Sequence, residues 1–177
     1  MHIFLRGPRN IGKSTVIHQT LNILTAQAPI KPGGFFTWRG KEKDPRVYMR
    51  PALNEKEEEI YPLAVYDPKT GGFECDLRIF EETGVSLLAA ANADILIMDE
   101  LGFLESKAPA FKRAVLTALK GSIPILGVLR LGDIPWHKEI ISLPAVRLCA
   151  VNEKNRGELP RKLAAELAAS LNIKSML

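Results

Sequence analysis

The chain has 177 residues, 46% of them hydrophobic and 25% charged, which suits one globular domain over 1–177 with a core large enough to need no staples. The 24 Lys and Arg exceed the 20 Asp and Glu by only 4, and no basic stripe interleaved with aromatics occurs, which argues against a nucleic-acid track. Two distant cysteines, Cys75 and Cys149, make no disulfide framework, and neither a signal-peptide opening nor a membrane-length apolar run is present, so a cytoplasmic protein without a membrane partner is expected.

HIFLR, at residues 2–6, is predicted as a short buried strand that runs at once into GPRNIGKST. This segment fits G-x-x-x-x-G-K-[ST] at every required position, after a strand and opening a helix. Its turn makes backbone N–H groups from about Asn10 to Thr15 converge on phosphate oxygens, and Gly7 and Gly12 supply the close approach. The whole loop, Gly7, Pro8, Arg9, Asn10, Ile11, Gly12, Lys13, Ser14 and Thr15, is the expected phosphate site. Lys13 is expected on the β- and γ-phosphates, Ser14 on Mg²⁺ and Thr15 on the α-phosphate.

The following KSTVIHQTLNILTAQ reads as a helix with Val16, Thr20, Ile23, Leu24 and Gln27 at helical spacing, ended by Pro29 and KPGG. From about 33 to 75 the segments GGFFTWRG, PRVYMRPA, YPLAVYD and GGFEC read as antiparallel strands joined by hairpins, a β-rich insert outside the main rhythm. LNEKEEEI is expected to be a mobile connection within it. DLRIFEETGVSLLAAA then looks helical, with Gly84 expected to break or thin it.

DILIMDE is a buried strand that places Asp99 and Glu100 at its carboxyl end, the edge where ligands of open α/β sheets collect. Neighbouring strand residues point to opposite faces, so the acids divide the work: Asp99 for the Mg²⁺, Glu100 for the attacking water. SKAPAFKRAVLTALK is a helix with Phe111, Val115 and Leu119 on one face and Gly121 as its stop. IPILGVL and AVRLCAV are further buried strands, and the last helix carries Leu159, Leu163, Leu167 and Leu171.

Arg130, at the end of IPILGVLR, and Arg156, in NEKNRGELP, are the arginines expected to meet a γ-phosphate or base from that same edge. His2, His18 and His137 have no metal-ligand spacing. Trp38 offers a ring for stacking, Trp136 reads as packing, and Glu105 supports the site or is simply solvated. Apolar strands alternating with amphipathic helices imply a mostly parallel sheet covered on both faces, a three-layer α/β sandwich.

GPRNIGKST, GGFFTWR, ECDLRIFEE, DILIMDELGFLES and VNEKNRGELP, in this order and over roughly residues 3–163, resemble the THEP1-type nucleoside-triphosphatase family. DELGFLES and NRGELP stand close to that family's DEIGxMEL and NRxxLP patterns. The resemblance implies a RecA-like P-loop NTPase sheet with an extra strand between the phosphate-loop strand and the Asp-Glu strand. It also implies slow, Mg²⁺-dependent hydrolysis of several nucleoside triphosphates, ATP and GTP among them. By the same likeness Glu105 matches a family glutamate, and Asn155 and Arg156 match its Asn-Arg pair. The chain departs from the pattern in three places: Arg9-Asn10 replaces Pro-Gly, TWRGK replaces T-x-E-V-R without its glutamate, and Leu129-Arg130 replaces a threonine-histidine ending.

The function expected is therefore release of the γ-phosphate by water. A small-molecule or nucleoside kinase, with the insert as acceptor site, and a nucleotide-gated regulatory module are the alternatives. VNEKNRG supplies no Asn-Lys-x-Asp loop for guanine, so the base preference stays open.

Overall fold

The computed structural model describes residues 1–41, 43–53, 59–89 and 92–173. In chain order its elements are β1 (His2–Arg6), α1 (Lys13–Gln27), β2 (Pro32–Arg39), β3 (Arg46–Pro51), β4 (Tyr61–Asp67) and β5 (Gly72–Cys75). A π-helical turn (Ile79–Gly84) runs into α2 (Val85–Leu88), followed by β6 (Ile95–Leu101), a 3-10 turn (Leu104–Lys107), α3 (Pro109–Leu119), β7 (Ile125–Leu129), α4 (His137–Ile141), β8 (Val146–Ala150) and α5 (Leu159–Ser170). Among the described residues the strands form one sheet in the order β5-β4-β3-β2-β6-β7-β1-β8.

Alternation along the strands builds two cores. Ile3, Leu5, Ile97, Leu126 and Val128 face α1 and α5, where they meet Val16, Ile17, Leu24, Leu163 and Leu167. Phe4, Phe35, Leu96 and Met98 face the opposite layer, packed on Phe111, Val115, Leu119 and Ile140. The result is the three-layer arrangement expected, with β7 lying between β1 and β6 as the extra strand.

The segment from 33 to 75 is corrected at its first strand. β2 pairs parallel with β6, Phe35 beside Met98 and Phe36 beside Asp99, and antiparallel with β3 on its other side. It therefore belongs to the parallel core, and the antiparallel extension begins at β3. The GGFF run fits this place because Gly34, at φ 84, lies against β6: a Cβ there would stand 2.0 Å from the Ile97 carbonyl oxygen. Of the LNEKEEEI connection, residues 54–58 lie outside the described residues.

Gly84 does not break its helix. Its φ is −59°, within the helical region, and its missing Cβ leaves room for the Phe111 ring, which would otherwise stand at 2.8 Å. α4 went unread in the sequence because Trp136, His137 and Ile140 turn inward over only five residues, too short a run to display a period.

Candidate active site

β1 ends at Arg6 and the chain turns through Gly7 to Gly12 into α1. The turn needs two left-handed residues, Asn10 at φ 62 and Gly12 at φ 103, and Asn is the non-glycine residue best suited to that conformation. Gly7 passes so close to the β8 exit that a Cβ would lie 2.5 Å from the Val151 carbonyl oxygen. The nearly buried Lys13 folds its ammonium across the loop, Nζ donating to the carbonyl oxygens of Gly7 at 3.0 Å and Pro8 at 2.9 Å. No acidic residue occupies the first turn of α1, so its positive end is uncompensated.

The acids arrive on β6. Its ladder with β7 steps from Met98–Gly127 to Leu101–Leu129, a bulge that frees Asp99 and Glu100 from pairing on that side. Asp99 is buried, and its Oδ2 has no hydrogen-bonding partner among the described residues. Burial pushes its carboxyl up to about 7; the Ser14 hydroxyl pulls it back, Glu100 adds to the rise and the Lys13 ammonium opposes it. Glu100 is half-buried. Its N–H donates to Thr37 Oγ1 at 3.0 Å, and its Oε1 accepts Arg130 Nη1 at 3.4 Å.

The turn after these acids is held from two sides. The Gly102 N–H donates to Glu105 Oε1, and the Trp136 indole N–H donates to the Gly102 carbonyl at 2.9 Å. Glu105 is buried and its carboxyl rises to about 7 through that burial, against the pull of the Gly102 N–H. Trp136 is thus packing with its polar end satisfied.

One cavity of about 570 Å³ joins these groups. Gly7, Arg9, Asn10, Gly12, Lys13, Ser14 and Thr15 line it from the loop, and Asp99, Glu100 and Arg130 from the strand ends. Pro8 and Ile11 are not among its lining residues; Pro8 holds Lys13 through its carbonyl. Asn155 and Arg156 do not line it either. The Asn155 side chain donates to the Ala150 carbonyl at 2.8 Å and accepts the Asn152 N–H at 2.9 Å, closing the turn after β8. Arg156 donates to the Ile11 carbonyl at 3.3 Å, bracing the phosphate loop from outside.

The cavity also takes in Trp38, read in the sequence as a ring for stacking, together with residues that the sequence did not place in a site. Thr37, Trp38 and Arg39 reach it because β2 runs parallel to β6 and ends at the same edge, and Phe73 and Phe103 also line it. Trp38 stacks on Tyr48 with ring centroids 5.5 Å apart.

Among the described residues no group of three or more His, Cys, Asp or Glu is placed to hold a metal. The Ser14 hydroxyl and the orphaned Asp99 oxygen make a two-ligand set of hard oxygens. Such a set fits Mg²⁺, which fills its other positions with phosphate oxygens and water.

A family model described as NTPase matches residues 2–164. The nucleoside-triphosphatase THEP1 of Thermofilum pendens is 30% identical over 175 residues, covering 95% of this chain and 96% of that protein. The human cancer-related nucleoside-triphosphatase is 25% identical, covering 89% and 92%. Among solved structures, the solution structure of a human cancer-related nucleoside triphosphatase superposes with a TM-score of 0.78 at 24% identity, over 96% of this chain and 98% of that one. The crystal structure of THEP1 from Aquifex aeolicus gives 0.73 at 19% identity, over 94% and 99%.

Proposed function

The chain belongs to the THEP1-type NTPase family, and on that premise we propose that it is a Mg²⁺-dependent nucleoside-triphosphatase releasing the γ-phosphate of ATP, GTP and other nucleoside triphosphates. The observation that carries this reading is the facing of two unlike groups across one cavity. A loop of amides with the Lys13 ammonium stands on one side, and Asp99, with its buried unpartnered oxygen, and Glu100 on the other.

In this reading the loop amides and Lys13 hold the β- and γ-phosphates, and Ser14 and Asp99 hold the metal. Bound Mg²⁺ supplies charge neutralisation across the phosphate oxygens. Glu100 orients water against the γ-phosphorus and takes its proton; the new P–O bond forms as the bond to the β–γ bridging oxygen breaks, and that electron pair leaves with the diphosphate. Arg130, already paired with Glu100, stabilises charge on the γ-phosphoryl oxygens. Arg156 acts through the loop it braces, as a positioning residue. Positioning and electrostatics do most of the work, since phosphoryl transfer leaves the protein little covalent chemistry.

No helix among the described residues is long and apolar enough to cross a membrane. The free thiols Cys75 and Cys149 suit a reducing compartment, and a cytoplasmic location follows as part of the proposal. Residues 1–177 are read as one domain, with β3 to β5 extending its sheet. A phosphate-release panel across ATP, GTP, CTP and UTP, with and without Mg²⁺, tests the proposal. Metal-dependent release from several nucleotides supports it, and no release from any contradicts it.

A further inference from the structure

Two segments that depart from the family pattern, far apart in the chain, meet in the cavity. Arg9 stands where the phosphate loop of that pattern has proline, and TWRGK set on T-x-E-V-R puts Arg39 where it has glutamate. Both departures add positive charge. Both arginines are exposed, and both line the cavity, Arg9 from the loop and Arg39 from the end of β2.

The cavity holds four cationic side chains, and two of them are already committed. Lys13 donates to the Gly7 and Pro8 carbonyl oxygens, and Arg130 donates to Glu100. Arg9 and Arg39 make no ion pair among the described residues. Arg39 lies 4.7 Å from the centre of the Phe73 ring, which holds the flat face of its guanidinium. The N–H donors of that group lie in its plane, so the stack leaves them free for an anion. Burial lowers the Arg39 guanidinium below the ordinary arginine range, the charges of Arg9 and Arg130 lower it further, and the Glu100 charge opposes them. Arg9, Arg39 and Glu100 therefore lie within one another's fields.

The proposed reaction fixes the place of one substrate atom, the phosphorus attacked by the water that Glu100 orients. Arg39 comes to that point with the acid, because β2 and β6 end at the same edge. Arg9 comes to it with the loop, next to Pro8, whose carbonyl accepts the Lys13 ammonium.

We propose that Arg9 and Arg39 form a clamp on the terminal phosphoryl group, donating to its oxygens from the loop and from β2, and that this clamp tells a nucleoside triphosphate from a diphosphate. The inference rests on the nucleotide reading and assigns to it two residues that touch the transferred group. Two guanidinium groups also offset the charge that spreads over those oxygens as the phosphoryl group departs.

The test is calorimetric titration of the full chain, with Mg²⁺ present, by the β,γ-imido analogue of ATP and separately by ADP. The wild type is expected to prefer the triphosphate analogue. Arg9→Gln and Arg39→Gln are each expected to weaken the analogue about tenfold and to leave ADP within about twofold. Arg39→Lys, which keeps the charge without the fork, is expected to recover part of the loss. Single-turnover hydrolysis of ATP is expected to slow about tenfold or more in both glutamine variants. Equal weakening of the two nucleotides overturns the clamp, since the arginines would then hold a part that both share. Unchanged affinity for the analogue in both variants overturns it as well. In either case a wild type that binds and hydrolyses ATP leaves the nucleotide reading standing, whereas a wild type that binds neither nucleotide overturns both.

Discussion

The Thr37 hydroxyl on β2 accepts the backbone N–H of Glu100 on β6 at 3.0 Å, tying the proposed water-activating residue to the neighbouring strand. Thr37→Val keeps the shape and leaves that N–H unpaired. Stability is expected to fall by about 1 kcal/mol, and kcat by roughly tenfold through displacement of the Glu100 carboxylate. Nucleotide affinity is expected to change little, because Thr37 stands on the acid side of the cavity. Steady-state kinetics checks this: a raised KM with unchanged kcat would show that Thr37 serves binding instead.

Glu100→Gln removes the proton acceptor while keeping the size of the side chain and its contact with Arg130. Binding of Mg²⁺-nucleotide is expected to persist within a few-fold, while single-turnover hydrolysis slows by about 100-fold or more. Hydrolysis at the wild-type rate would take Glu100 out of that role.

Gly34 on β2 lies against β6, with φ 84 and no room for a Cβ beside the Ile97 carbonyl oxygen. Gly34→Ala is expected to destabilise the chain by about 3 kcal/mol or more, since strain and steric overlap act together. Because Phe36 and Asp99 are register partners two residues further along, the surviving folded fraction should also lose activity. Urea denaturation measures the first effect, and a midpoint equal to wild type would contradict the β2–β6 contact.

Local chemistry was legible in the sequence where the function is local. Gly7 to Thr15 form one continuous loop, and a fixed spacing reports their geometry directly. Asp99 and Glu100 drew their reading from the phosphate loop, since a buried strand ending in two acids serves equally well to cap the turn that follows. The parallel pairing of β2 was not legible, since GGFFTWR reads alike as a hairpin strand or a core strand, and its partner lies about sixty residues away. With β2 misplaced, Thr37 and Arg39 were lost from the site, and Trp38 was read only as a ring for stacking. Asn155 and Arg156, which a motif marks, lie outside the cavity lining, and their side chains bind the backbone of the loops that shape it.

His137 sits buried against Trp136 with neither ring nitrogen partnered among the described residues, and burial, with the nearby Arg6 charge, lowers it to about 4 from the ordinary 6.5. The native state then binds fewer protons than the unfolded chain between those values, so this residue's contribution is full above pH 6.5 and is lost as pH falls towards 4. Asp99 and Glu105, raised to about 7, act in the opposite sense, so the informative quantity is the difference between wild type and His137→Leu. From pH 7.5 to 4.5 the wild type is expected to lose roughly 2 kcal/mol more stability than the variant. Equal losses in urea unfolding would remove His137 as the source.

The facing of the Lys13 loop and the Asp99–Glu100 strand end is tested most directly by single-turnover phosphate release from Mg²⁺-ATP in Lys13→Ala. The expected result is a loss of at least about 100-fold with the fold intact by circular dichroism. Release at the wild-type rate would contradict it, for the triphosphate would then be held and cleaved somewhere other than this cavity.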